Sequence, residues 1–303
     1  MKRAISFLLS TVMVLALMAG FTGCTEGDTS SPGEVIPGEV GVLKPQARLR
    51  VATTTSLYDT GLWGYLEPIF EKRYNVEVDV LSTGSGIAFE YGKRGDVDVI
   101  TIHSKAQELQ FIADGYGTER VPFAYNYFLI VGPASDLAGI KGLSPEAAFK
   151  KLMETGKGTF ISRGDNSGTH SKEKTIWKNA GFDYATVEKA GAWYIEAGQG
   201  MGQTLQMASE KQAYTLTDMG TYLSYKSKLE LVPIVDKGGI LLNVYSVIAV
   251  NPQKVTVVKN LDMAKNLVSF LTSPDIQKLI GNYGVKEYGL QLFIPCAGAE
   301  PTQ

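Results

Sequence analysis

Three times in this chain a short apolar run closes on small hydroxyl residues and gives way to an amphipathic stretch, and that repetition restricts the fold more than any other feature. In the first, Arg48–Ala52 alternates Leu49 and Val51 and leads through Thr53-Thr54-Thr55-Ser56 to Gly61–Tyr74. There Leu62, Tyr65, Leu66, Ile69 and Phe70 recur at helical spacing, the stripe of a helix packed on a sheet. In the second, Val76–Leu81 meets Ser82-Thr83-Gly84-Ser85-Gly86 and a helix over Ile87–Arg94. In the third, Thr159-Phe160-Ile161 meets Ser162-Arg163-Gly164-Asp165-Asn166-Ser167-Gly168-Thr169-His170 and a helix over Lys172–Gly181, with Gly181 as its stop. Such units point helix N-termini at the carboxyl edge of a parallel sheet, where α/β folds bind ligands. First-turn N–H groups lack intrahelical partners, and the helix dipole is positive there, so the place suits an anion. Arg163 adds a planar, permanently charged fork of donors. A capped helix whose arginine pairs with Asp165 is the plain alternative for that loop taken alone.

The alternation continues with a strand over Val97–Ile102 and a helix over Lys105–Asp114, so the first part consists of βαβ units. His103, at the strand's end beside Ser104, reads as a solvent-facing cap, with the rim of the site as the other place for it. Phe123–Gly132 and Leu241–Val250 are long apolar strands, each broken by an Asn-x-aromatic step at Asn126 and Asn243. They flank an insert with a helix after Pro145, the glycine-marked stretch Gly198–Ser209, strand Tyr214–Asp218, helix Met219–Ser227 and strand Leu231–Val235. Gly200 and Gly202 follow no strand at the spacing a dinucleotide fingerprint needs. We therefore expect an α/β fold of two lobes, each a mainly parallel sheet flanked by helices, joined by two hinge crossovers. Lobe 1 takes residues 48–126 plus 243–296, and lobe 2 takes 127–242. The C-terminal part of lobe 1 carries helices Leu261–Leu271 and Pro274–Tyr283, the latter with Ser273 as N-cap and Pro274 at its first position. Two sequential domains are the simpler alternative.

Residues 1–23 read as a signal peptide: Lys2 and Arg3 precede an apolar run, Ile5–Met18, that is short of a membrane span. Phe21-Thr22-Gly23-Cys24 resembles a lipoprotein cleavage box, although leucine is usual where Phe21 stands. On that reading Cys24 is lipidated; cleavage by an ordinary signal peptidase is the alternative. Residues 24–47, with Pro32, Pro37 and Pro45, form a tether to the membrane. Cys296 is then a lone thiol without a disulfide partner. Removal of the leader leaves 27 bases against 31 acids, a net charge of −4. That excess of acid and the lack of a basic stripe argue against nucleic acid. An anion site must then be local, made of dipoles and one arginine.

Ser167 and His170 suggest a serine hydrolase, but the chain has two histidines and no Gly-x-Ser-x-Gly elbow, and the pair shares one short loop. We expect no enzyme. No Cys/His cluster or oxygen-rich calcium loop occurs, so no metal cofactor is expected.

Taken together, the cleavage box, the tether, Thr-Thr-Thr-Ser after the first strand, Ser-Thr-Gly-Ser-Gly after the second and Ser-Arg-Gly-Asp-x-Ser-Gly-Thr-His later resemble the tungstate-binding component of bacterial ABC importers. The resemblance spans Arg48 to about Pro295. It implies a periplasmic-binding-protein fold (type II), a monomer that is extracytoplasmic, held to the membrane by its lipid, and that passes one tetrahedral oxyanion to an ABC permease and ATPase complex. Carried over, the contacts are Thr55, Ser56, Ser85, Arg163, Ser167, Gly168 and Thr169. Arg-x-Asp-x-Ser-Gly-Thr alone is shared with phosphate-binding proteins, the runner-up reading. Phosphate keeps a proton at neutral pH and calls for a carboxylate acceptor, whereas tungstate and molybdate need donors only. Phosphate binders usually place an acid just past the strand that here ends Thr101-Ile102-His103-Ser104-Lys105, and Asp165 reads as the partner of Arg163. The preference for tungstate over molybdate rests on the resemblance.

Overall fold

Strand β1 (Ala47–Thr54) is the one from which the sheet of this computed structural model grows outward. The structure describes residues 47–301; the leader, Cys24 and nearly all of the tether lie outside the described residues. β1 pairs in parallel with β2 (Val76–Thr83) along its whole length and with β3 (Val99–Ile102) from Val51↔Val99 to Thr53↔Thr101. The returns are helical: α1 (Thr55–Asp59), α2 (Leu62–Tyr74), α3 (Ser85–Arg94) and α4 (Lys105–Ala113). The stripe expected on α2 is buried at Leu62, Leu66 and Phe70, which pack with Phe270 and Ile276 beneath β1. Each such side chain contributes about 1.5–3 kcal/mol by leaving water. Phe89 of α3 and Phe111 of α4 cover the other face, against Ile100 and Ile102.

The longest strand, β4 (Val121–Pro133), serves two groups of strands. Its first half runs antiparallel to β9 (Leu242–Ala249), and its second half runs antiparallel to β7 (Tyr214–Asp218) and β8 (Leu231–Val235). Between these lie α5 (Pro145–Thr155), β5 (Phe160–Ser162), α6 (Gly168–Asn179), α7 (Tyr184–Val187), β6 (Tyr194–Glu196), α8 (Met201–Glu210) and, after β7, α9 (Met219–Tyr225). The chain closes with α10 (Leu261–Thr272), α11 (Pro274–Asn282), α12 (Val285–Tyr288) and β10 (Ile294–Pro295), which pairs with β4 at Tyr125 and Ala124.

The strand order is β2-β1-β3-β9-β4-β7-β5-β6. Parallel pairing holds β2-β1-β3 and β6-β5-β7, while β9 and β4, which join the two groups, are antiparallel to their neighbours. Asn126 and Asn243 fall opposite each other in the β4–β9 register. Both are buried, and Asn243 Nδ2 donates to Asn126 Oδ1 and to the Tyr245 hydroxyl, each at 2.9 Å. The second group has its own core of Phe149, Phe160, Trp177 and Tyr214. Among the described residues no helix is long and apolar enough to cross a membrane.

Candidate functional site

The site is assembled at the carboxyl ends of β1, β2, β3 and β5. After β1, Thr54 caps α1 by accepting from Leu57 N–H at 3.3 Å, and the chain turns through Thr55 and the buried Ser56. After β2 comes Gly84, whose lack of a side chain leaves the start of α3 without a side-chain cap. The N–H groups of Ser85 and Gly86 therefore point out of the helix unspent. Ser85 is fully buried and its Oγ has no hydrogen-bond partner.

After β5 the chain forms a self-braced loop. Ser162 Oγ accepts from Gly164 N–H (3.2 Å), His170 Nδ1 from Asn166 N–H (3.0 Å), Asp165 Oδ1 from Ser167 N–H (3.1 Å) and Ser167 Oγ from His170 N–H (3.2 Å). The last makes Ser167 the N-cap of α6, which begins at Gly168, four residues earlier than expected. Gly164 has φ +60°, and a Cβ there would lie 2.7 Å from Glu196 Cβ, so both backbone and space require glycine. Behind the loop, Glu173 accepts from Ser162 Oγ (2.7 Å), Tyr194 (2.6 Å) and Trp177 Nε1 (3.0 Å). Burial pushes this carboxyl up to about 7. His170 Nδ1 is an acceptor, so Nε2 carries the proton and donates to Tyr184 at 2.6 Å; burial, then Lys174, holds its pKa down to about 4.

Arg163 is 1% exposed. Its Nη2 donates to Thr55 Oγ1 (3.0 Å) and pairs with Asp165, and its Nε donates to Gln199 O (3.3 Å). Nη1 has no partner. Burial lowers the guanidinium pKa and Asp165 opposes that, so the group stays charged. Asp165 thus holds the arginine, as expected. Thr169 is likewise buried with Oγ1 unpartnered.

These elements touch. Besides the Arg163–Thr55 bond, a Cβ on Gly84 would lie 3.6 Å from Asp165 O, and one on Gly86 would lie 3.8 Å from Asn166 O. Thr221 Oγ1 of α9 donates to Ser56 O at 3.0 Å, and Gly202 N–H of α8 to Asp59 at 3.4 Å. The structure therefore brings together all seven residues singled out from sequence: Thr55, Ser56, Ser85, Arg163, Ser167, Gly168 and Thr169. Three of them, Ser85, Arg163 and Thr169, hold buried polar atoms without partners. An unsatisfied buried donor costs about 1–3 kcal/mol, so three such groups close together call for a partner.

Comparison with known proteins gives this arrangement a lineage. Residues 42–275 match the model of the PBP superfamily domain. The tungstate-binding protein TupA of Peptoclostridium acidaminophilum is 43% identical over 300 residues, covering 98% of this chain and 99% of the relative. A putative ABC transporter anion-binding protein of Haloferax volcanii is 45% identical over 296 residues, 94% of this chain and 84% of the other. The crystal structure of a tungstate ABC transporter protein from Geobacter sulfurreducens superposes with a TM-score of 0.69 at 48% identity, covering 78% of this chain and 98% of that one. The chain belongs to the TupA family. The relatives of this TupA-family protein are binding components of transporters, not enzymes. The site's geometry agrees, because Ser167 Oγ is occupied by a backbone N–H while the His170 ring faces Asn166 and Tyr184. Ser167 and His170 do not form a nucleophile–base pair.

His103 corrects the sequence reading. It is not a solvent-facing cap but is 7% exposed, with Nε2 2.8 Å from Ser56 Oγ and its ring against Tyr245 (5.0 Å) and Phe128 (5.9 Å). The reason is the antiparallel join: β9 pairs with β3 up to Ser246↔Ile102, so Tyr245 roofs the position after the strand ends. Burial, then Arg163, lowers the imidazole to about 3, with Asn243 opposing, so His103 is neutral. Lys172, one turn into α6, also escaped notice. Its Nζ donates to Ile240 O (2.8 Å) and Leu242 O (3.1 Å) at the crossover into β9, and burial brings it down to about 8. No sequence pattern marks that lysine.

The donor set in this TupA-family protein is a guanidinium, hydroxyls and uncapped amides. Nearby carboxylates are spoken for: Asp165 by Arg163 and Ser167, and Asp218 by Thr221 N–H (2.9 Å) and Oγ1 (2.6 Å).

Proposed function

We propose that the chain is the extracytoplasmic binding protein of an ABC importer, and that it holds tungstate between its two strand groups for delivery to a permease and ATPase complex. The strand groups act as lobes, residues 48–126 with 243–296 and residues 127–242, hinged near Asn126 and Asn243. The observation that carries this reading is the set of buried, unpartnered groups at Ser85 Oγ, Arg163 Nη1 and Thr169 Oγ1 on three elements in contact. Thr55, Ser56, Ser167 and Gly168 complete the donor ring, the last two through the start of α6. A fully deprotonated tetrahedral oxyanion matches donors of this kind. Phosphate does not, because the position after β3 holds neutral His103 where an acceptor carboxylate would serve it. Molybdate shares the charge and shape of tungstate and binds in the same donors.

The test is calorimetric titration of residues 47–303 with tungstate, molybdate, sulfate and phosphate. Tungstate should bind and raise the melting temperature by mass action, with phosphate inert at the same concentration. Phosphate binding as tight as tungstate overturns the donor argument. The names of the P. acidaminophilum and G. sulfurreducens relatives support the choice of ligand and transporter. The protein acts as a monomer on a lipid at Cys24. Full-length wild type should partition into detergent when made in a lipoprotein-competent bacterium, and Cys24→Ala should not.

A further inference from the structure

Gly168 opens α6 on one strand group, and His103 follows β3 on the other. A Cβ placed on Gly168 would lie 2.7 Å from His103 Cε1, 2.9 Å from Nδ1 and 3.0 Å from Nε2. The α6 backbone therefore sits on the imidazole at a distance only glycine permits. The ring has no room to retreat: Ser56 Oγ holds its Nε2 at 2.8 Å, while Tyr245 and Phe128 close its sides. The backbone of Gly168 imposes no demand of its own, because it is an ordinary first helical residue and is not among the glycines with positive φ. Its lack of a side chain answers to the histidine.

We propose that His103 is the seat on which the Gly168 backbone lands when the two strand groups shut, and that this contact sets how closely the start of α6 approaches an anion held by Ser85 and Arg163. The inference rests on the oxyanion reading above and makes His103 a positioning residue, one that shapes the site through its contact with the Gly168 backbone. The hydrogen bond to Ser56 fixes the seat to the α1 turn, so both sides of the site are gauged from one ring.

The experiment is a four-member set titrated with tungstate: wild type, Gly168→Ala, His103→Ala, and the double variant. Gly168→Ala should weaken binding at least tenfold, since its methyl props the groups apart. It should leave the ligand-free melting temperature near that of wild type, because the contact forms on closure. His103→Ala removes the obstacle, so the double variant should bind more tightly than Gly168→Ala alone. Additive losses in the double variant overturn the proposal, as does a Gly168→Ala protein that binds like wild type. A ligand-free melting temperature that falls in Gly168→Ala and recovers in the double variant also overturns it, because the contact would then be a standing part of the fold. The His103→Phe, Gly168→Ala pair keeps a ring in place and should not recover; recovery there also counts against the steric account. A wild type that gives no tungstate heat fails the oxyanion reading and this inference with it. A wild type that binds, with no rescue in the double variant, fails this inference alone.

Discussion

In the loop after β5, four backbone N–H groups are already taken by side chains, whereas the start of α3 has no side-chain cap at all. The two regions face each other across the same site. The Arg163 loop fixes a buried charge, which needs bracing, because an arginine moved from water is tolerable only with its partners held in place. The α3 start offers neutral donors that need only be left free. On the oxyanion reading, one side supplies strength and direction, and the other supplies fit.

Removing the charge should give the largest effect. Charge-assisted hydrogen bonds are worth roughly 1.5–3 kcal/mol each, so Arg163→Ala should weaken tungstate binding about ten- to a thousandfold. Arg163→Lys keeps the charge and loses the fork, and should recover part of the loss. Adding Asp165→Asn to Arg163→Ala should improve on the single change, since Asp165 loses the cation that now neutralises it. Titration of these variants orders them; an Arg163→Ala protein that binds like wild type would make the loop a mere cap.

The bracing itself can be probed through Glu173. Its folded pKa, about 7, lies above the ordinary carboxyl value, so between about pH 4.5 and 7 the folded state binds more protons than the unfolded one. Glu173 therefore becomes more costly to the fold as pH rises through that window and stays so above it. Glu173→Gln escapes this cost, and the melting temperature of the variant relative to wild type should climb from pH 5 to pH 7.5. A constant difference across that range would mean that the carboxyl does not titrate there.

The smallest expected effects belong to the neutral donors. Ser85→Ala and Thr169→Ala each remove one uncharged hydrogen bond worth about 0.5–1.5 kcal/mol, and so should weaken tungstate binding roughly two- to tenfold. Should Ser85→Ala cost more than Arg163→Ala, the division into a strong side and a fitting side collapses.

Periodicity and turn chemistry are local, and they make the α2 stripe and the strands Tyr214–Asp218 and Leu231–Val235 legible from sequence, whereas the seven contact residues come from the family resemblance. Sequence alone sets the start of α6 too late because Gly168, Thr169 and His170 are poor helix markers, held helical by the Ser167 cap. Strand β6 and the two-residue β10 carry too few residues for a period to register. His103 is illegible from sequence for a different cause. Its burial depends on β9, about 140 positions away in sequence, running antiparallel past the end of β3. Lys172 escaped for the same reason, since its two acceptors are backbone carbonyls on a distant segment.

Trp177 touches Glu173, and Glu173 touches Ser162, whose hydroxyl in turn braces Gly164. The indole N–H thus lies 3.0 Å from a carboxyl poised near neutrality, at the back of the loop that carries the arginine. Indole emission responds to charge beside that N–H. With Trp63 and Trp193 replaced by phenylalanine, emission from Trp177 should therefore report whether the strut behind the arginine is charged, without any label being attached.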